Sequence, residues 1–144
     1  IFLNNTMALF DPHPGFPNSV GPNRRMVSSN APTIVSKDGR PSLALGTPGG
    51  VRIFPSVLQA IINVIDHGMT LQEAVEAPRV WTQGQDLELE SAFLESIRDS
   101  LTGLGHPVKK VRAVAGGMNG IAVDPDTGWI RVLVAGGRMG LQRP

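Results

Sequence analysis

Gly46-Thr47-Pro48-Gly49-Gly50, followed at once by the apolar run Val51 to His67, limits the fold of this chain more than any other stretch. It reads as a strand end, a tight glycine turn and the start of a helix. Phe54, Val57, Leu58, Ile61, Ile62 and Ile65 recur at three- and four-residue spacing, which sets them on one helical face and predicts that face to be buried. Pro55 fits in the first turn, where its missing N–H would have no intrahelical partner, and Gly68 supplies the stop. The helix is therefore expected to begin near Gly50. Two glycines at a helix N-terminus leave backbone N–H groups free beside the positive end of the helix dipole, which suits a phosphate, a carboxylate or a transient oxyanion. These residues do not choose among the three, and Pro-Gly-Gly is also a plain tight turn between elements.

The 144 residues, 41% of them hydrophobic, suffice for one domain over 1–144 with a sizeable core. A formal charge of +1 and a pI near 8.5 give no basic patch that would point to nucleic acid. Without a cysteine, disulfides, thiolate metal sites and a Cys nucleophile are all excluded. The apolar runs fall far short of a membrane span. His13, His67 and His106 have no ligand-spaced partners, so no metal is expected. No Lys follows the glycines to make a P-loop, no Gly-x-Gly-x-x-Gly follows a strand, and no Ser sits in a Gly-x-Ser-x-Gly elbow. Neither a nucleotide nor another cofactor is indicated. The residues taken alone lead as far as an anion or oxyanion site.

Along the chain, Asp11 to Asn23 is dense in Pro, Gly and Asn and reads as a long loop, with a short extended segment, Met26 to Asn30, after it. Thr33–Ser36 and Pro41–Leu45 flank an Asp38-Gly39 centre and form a hairpin that delivers the glycine turn. Thr70 and Glu73 fit a capping box for a second helix that Pro78 ends. Val80-Trp81-Thr82 and Leu87-Glu88-Leu89-Glu90 read as two short strands, the second alternating apolar with acidic. A third helix follows, with Ser91 as its cap and Leu94, Ile97, Leu101 and Leu104 on one face. Val108–Val114, Met118–Val123 and Trp129–Val134 complete the pattern as strands, the last two joined by Asp124 to Gly128. This order predicts an α+β layered domain in preference to an alternating parallel fold.

Several segments together resemble the small, catalytic subunit of the γ-glutamyltranspeptidase family. They are Leu3-Asn4-Asn5-Thr6-Met7, Ser28-Ser29-Asn30-Ala31-Pro32-Thr33-Ile34-Val35, Gly46 to Gly50, Asn63 to Gly68 and Gln72 to Arg79, in the family's order. The resemblance implies part of a four-layer αββα sandwich of the N-terminal-nucleophile hydrolases, made when a precursor cleaves itself and exposes a Thr. That Thr is expected upstream of the segment matching Leu3, so the chain reads as a truncated small subunit, inactive by itself, whose partner is the large subunit of the same precursor. The implied function is acyl transfer or hydrolysis of γ-glutamyl amides such as glutathione through an acyl-Thr intermediate. Gly49 and Gly50 match the oxyanion-hole glycines, Ser28 and Ser29 the serines that hold a substrate α-carboxylate, and Asn5 and Thr6 the neighbouring substrate loop. The residues do not fix the compartment; the likeness favours a periplasmic or secreted protein, with the cytoplasm as the alternative.

Two positions depart from the family pattern. Where the motif after the paired asparagines usually carries two Asp residues, the second reading the substrate's α-ammonium, this chain has Ala8 and Leu9. An apolar side chain has nothing to pair with an ammonium. The alternatives are therefore an amide acylase for glutaryl-type or β-lactam side chains, or a non-catalytic carboxylate-binding fragment. The second departure is the tail, 132–144, which lacks the family's usual closing segment.

Overall fold

The computed structural model describes residues 5–134 and the short strand 140–142. The hairpin forms as expected: β1 (Thr33–Lys37) and β2 (Arg40–Gly46) are antiparallel about Asp38 and Gly39, whose φ of 51° and 75° are the paired positive values an Asp-Gly turn supplies. They open a five-stranded antiparallel sheet, β1-β2-β6-β7-β8, completed by β6 (Asn119–Val123), β7 (Ile130–Val134) and β8 (Gly140–Gln142). The expected tail after 132 thus begins inside β7 and continues the sheet through β8. Asp124 closes the β6–β7 turn by accepting from the backbone N–H groups of Asp126 and Thr127.

Side chains alternate across this sheet. Val35, Leu43, Leu45, Ala122 and Leu133 face the helices α1 (Ile53–Ile65) and α2 (Leu71–Glu76), meeting Val57, Ala60, Leu71 and Val75, with Met118 fully buried among them. The opposite face carries a cross-strand row, Ile34, Ala44, Ile121 and Val132, in direct register over four strands. Ile34 is 68% exposed there, so the sheet is apolar on both sides and covered by described residues on one. A second, smaller sheet joins β3 (Val80–Trp81), β4 (Leu87–Glu90) and β5 (Val108–Val111), with α3 (Glu95–Gly103) crossing over between the parallel pair β4 and β5.

Several local expectations are corrected. A 3₁₀ turn, Gly50–Arg52, precedes α1, which starts at Ile53. Of the predicted stripe, Val57 and Ile61 face the core, joined by Ala60 and Val64, whereas Phe54, Leu58, Ile62 and Ile65 lie on the outer side. This helix is apolar nearly all round, so spacing finds the helix but not the face it buries. The α3 prediction errs in the same way: Leu94, Ile97 and Leu104 are exposed while Arg98 is buried, donating to the Phe93 carbonyl and pairing with Glu95. Ser91 lies in a turn before the helix, and Leu94 takes the cap position without a side-chain bond. In β4 the alternation fails at its end, where Leu89 and Glu90 are both buried. Met26–Asn30 forms no regular strand. The capping box does form, with Glu73 N donating to Thr70 Oγ1 and Thr70 N to Glu73 Oε2.

Candidate functional site

The glycine turn leaves β2 and enters α1. Neither the Gly49 nor the Gly50 amide donates a hydrogen bond among the described residues, while Arg52 N donates back to the Gly49 carbonyl and starts the helical ladder. Two N–H groups are thus free beside the positive end of a helix, the geometry a developing negative charge requires. Gly50 holds φ at 59°, a left-handed conformation that glycine adopts without a Cβ clash. Gly49 is needed for space, since a methyl group on it would stand 2.9 Å from the Ala115 Cβ.

The turn rests on the segment between β5 and β6, which has no helical or strand structure from Arg112 to Met118. Gly116 N donates to the Pro48 carbonyl at 2.9 Å, and its own carbonyl accepts from Thr47 Oγ1 at 2.9 Å. Arg52, the last residue of the 3₁₀ turn, is held by Glu88 at 2.8 Å with its guanidinium 4.3 Å from the centre of the Trp81 ring.

Ser28 is exposed and its Oγ accepts from Asn30 N at 3.3 Å; Ser29 is half-buried. The chain just beyond them, Asn30 to Pro32, lines an open cleft of about 380 Å³ with Gly46, Thr47 and Ile53. The chain that follows the two serines and the entry to the glycine turn therefore share one surface, although no hydrogen bond links Ser28 or Ser29 to Gly49 or Gly50 among the described residues. Asn5, exposed, precedes a 3₁₀ turn, Thr6–Leu9, without a side-chain cap. Leu3 and Asn4 lie outside the described residues.

Asn18, which the sequence reading passed over as one loop asparagine among several, joins these parts. Its Nδ2 donates to the Leu9 carbonyl at 2.7 Å and its Oδ1 accepts from Val27 N at 3.0 Å, tying the Thr6–Leu9 turn to the residue before Ser28. Leu9 is 45% exposed in that turn. Asp11, the nearest acid, is occupied by His13: its Oδ1 accepts from His13 N and lies 3.0 Å from His13 Nδ1. Among the described residues no cluster of His, Asp and Glu could hold a metal ion.

Comparison with known proteins bears on the same segments. Residues 1–137 match the gamma-glutamyltranspeptidase family. The chain belongs to this family. It is 58% identical over 126 residues to the acylase ACY 1 proenzyme of Pseudomonas sp. (strain V22), covering 88% of this chain and 23% of that protein. It is 37% identical over 141 residues to the glutathione hydrolase proenzyme of Bacillus subtilis (strain 168), covering 97% of this chain and 24% of that protein. The crystal structure of the T380A mutant of Helicobacter pylori gamma-glutamyltranspeptidase superposes with a TM-score of 0.81 at 36% identity, over 92% of this chain and 78% of that one. This gamma-glutamyltranspeptidase-family chain thus spans about a quarter of the curated relatives' length. Helices α1 and α2 packed on the five-stranded sheet make the chain an α+β part of the family's αββα sandwich, and no helix among the described residues is long and apolar enough to cross a membrane.

Proposed function

We propose that, within the whole protein, this chain supplies the oxyanion hole and the carboxylate-binding surface of an amide acyl-transfer or hydrolysis site. The free amides of Gly49 and Gly50 at the start of α1 carry this reading. A Thr exposed by cleavage of the precursor acts as nucleophile: its hydroxyl attacks the amide carbonyl, and its own α-amine takes the proton and passes it to the leaving amine. The oxyanion of the tetrahedral intermediate sits against the two glycine amides, Ser28 and Ser29 hold a carboxylate on the acyl group, and Asn5 and Thr6 border the same pocket. Water or a second amine then attacks the acyl-Thr ester, which frees the Thr hydroxyl and releases the acyl group as an acid or a new amide. The large subunit of the same precursor provides the second β layer, which covers the row Ile34, Ala44, Ile121 and Val132.

The acyl group is of the glutaryl type, with a carboxylate and no α-ammonium. Leu9 stands where a carboxylate would read the ammonium, Asp11 is engaged with His13, and the identity to the acylase proenzyme exceeds that to the glutathione hydrolase proenzyme. An ammonium buried without its partner carboxylate costs about 2–5 kcal/mol in comparable sites. Hydrolysis of γ-glutamyl amides such as glutathione is the second reading, favoured by the glutathione hydrolase relative. The test is kcat/KM for glutaryl and γ-glutamyl anilides in the processed protein and in Leu9→Asp. The glutaryl anilide is expected to be the better substrate, and the substitution to move the ratio toward γ-glutamyl by about tenfold for each 1.4 kcal/mol regained. An unchanged ratio would remove Leu9 from any account of specificity.

A further inference from the structure

Arg79 and Glu90 come from different elements and meet in the interior, with side chains 11% and 12% exposed and Arg79 Nε 3.3 Å from Glu90 Oε1. A buried ion pair is in general no more stabilising than well-packed apolar residues of the same volume, so its presence invites the question of what the charges hold. Both side chains turn to the backbone of one segment. Glu90 Oε1 accepts from Val114 N at 2.8 Å, and Arg79 Nη1 donates to the Gly116 carbonyl at 3.1 Å. Glu90 Oε2 meanwhile accepts from Arg79 N at 3.0 Å, which anchors the pair to the entrance of β3. The segment they grip has no ladder partners of its own and lies directly under the glycine turn, with Gly116 N on the Pro48 carbonyl and Ala115 against Gly49.

We infer that the Arg79–Glu90 pair is a positioning device for the oxyanion hole, fixing residues 114–116 so that they in turn fix the amides of Gly49 and Gly50. The inference rests on the oxyanion reading of those glycines. Neither charged group touches substrate; each acts through two backbone links. The chain of contact is short. Glu90 sets Val114, Arg79 sets Gly116, Gly116 sets Pro48, and the next two amides are the oxyanion donors. A displacement of the order of 1 Å at such donors lowers turnover by up to about a hundredfold, while ground-state binding elsewhere in the pocket persists.

The experiment uses the processed full-length protein, with maturation, thermal midpoint, KM and kcat measured for Glu90→Gln, Gly116→Ala and Val75→Ala. Glu90→Gln keeps the shape and removes the charge. Gly116→Ala leaves the pair intact and places a methyl group 2.6 Å from Pro48 Cγ, pressing on the turn from below. Val75→Ala, in the core on α2, is the control for lost stability alone. Both test variants are expected to mature and to lose about ten- to a hundredfold in kcat with KM changed much less. The control should lower the midpoint and leave kcat unchanged. Arg79→Lys, which keeps the charge but not the planar fork, should lose kcat as Glu90→Gln does. A lowered midpoint with unchanged kcat in Glu90→Gln and Gly116→Ala, as in the control, would overturn the inference, as would failure of either to mature, which makes the pair and the segment it holds a folding element. Replacing the Gly50 amide by an ester in parallel separates the two levels of the account. Intact kcat in that ester removes the oxyanion reading and the inference with it; an impaired ester beside an unimpaired Glu90→Gln removes the inference alone.

Discussion

Gly49 and Ala115 approach so closely that a methyl group on the glycine would lie 2.9 Å from the Ala115 Cβ, nearer than carbon atoms pack. One of the two segments would have to move, and a shift of the glycine turn carries the free amides with it. Gly49→Ala in the processed protein is therefore expected to lower kcat by about tenfold or more, up to the 10²–10³ that loss of one oxyanion donor costs, with KM affected less. The paired variant Gly49→Ala with Ala115→Gly opens the space again and should recover part of the lost rate. Steady-state kinetics on the four proteins of this cycle provide the check, and no recovery in the double variant would show that the contact is not the cause.

What could be read in the sequence was whatever local chemistry specifies. The Asp38-Gly39 hairpin, the Thr70–Glu73 capping box and the helix after Gly50 each depend on residues within a few positions of one another, and each appears where its residues stand. Burial was less legible, because α1 and α3 carry apolar residues on more than one side and the choice of face is made by the sheet they land on. The buried Arg79–Glu90 pair and the Asn18 bridge were missed for a related reason. Their partners lie far off in sequence or on backbone atoms, and neither leaves a periodic trace.

Asn18 links the Leu9 carbonyl to Val27 N and so sets the spacing between the Thr6–Leu9 turn and the serine segment. Two hydrogen bonds of ordinary strength contribute about 0.5–1.5 kcal/mol each. On the proposed roles of these segments, Asn18→Ala should raise KM by roughly tenfold with a smaller change in kcat, since it loosens the segments assigned to hold substrate and leaves the glycine turn untouched. Substrate saturation curves decide it, and a loss confined to kcat would contradict the role given to this side chain.

Glu73 accepts from the Thr70 hydroxyl and the Thr70 N–H, and these two bonds, the hydroxyl first, hold its carboxyl below the ordinary carboxylate range. A carboxyl whose folded value is depressed adds stability above its unfolded value and loses it as the pH falls through the folded one. The destabilisation caused by Glu73→Ala should accordingly be largest near neutral pH and shrink as the pH drops below about 4.5, the unperturbed Glu value. Thermal midpoints of the two processed proteins between pH 7 and pH 3 give the difference curve, and a gap that stays constant or widens in acid would refute the assignment.

Met118 is fully buried in the core between the sheet and the two helices, one residue before β6. Truncation to Ala removes most of the side chain from a close-packed site and should destabilise the protein by about 2–5 kcal/mol. Because Met118 also ends the segment that supports the glycine turn, the variant should lose stability first and activity only as far as the turn relaxes. Denaturant unfolding of Met118→Ala beside the parent protein tests this, and a change below about 1 kcal/mol would mean that the cavity is filled by repacking.

The most direct test of the oxyanion site is to replace Gly50 by glycolate, which exchanges the amide N–H for an ester oxygen and leaves the Cα, with its left-handed φ, free of any side chain. In the processed protein the account predicts a fall of about 10²–10³ in the acylation rate with little change in substrate affinity, the signature of a donor used in the transition state. An ester protein that matures, folds and acylates at the parent rate would contradict it.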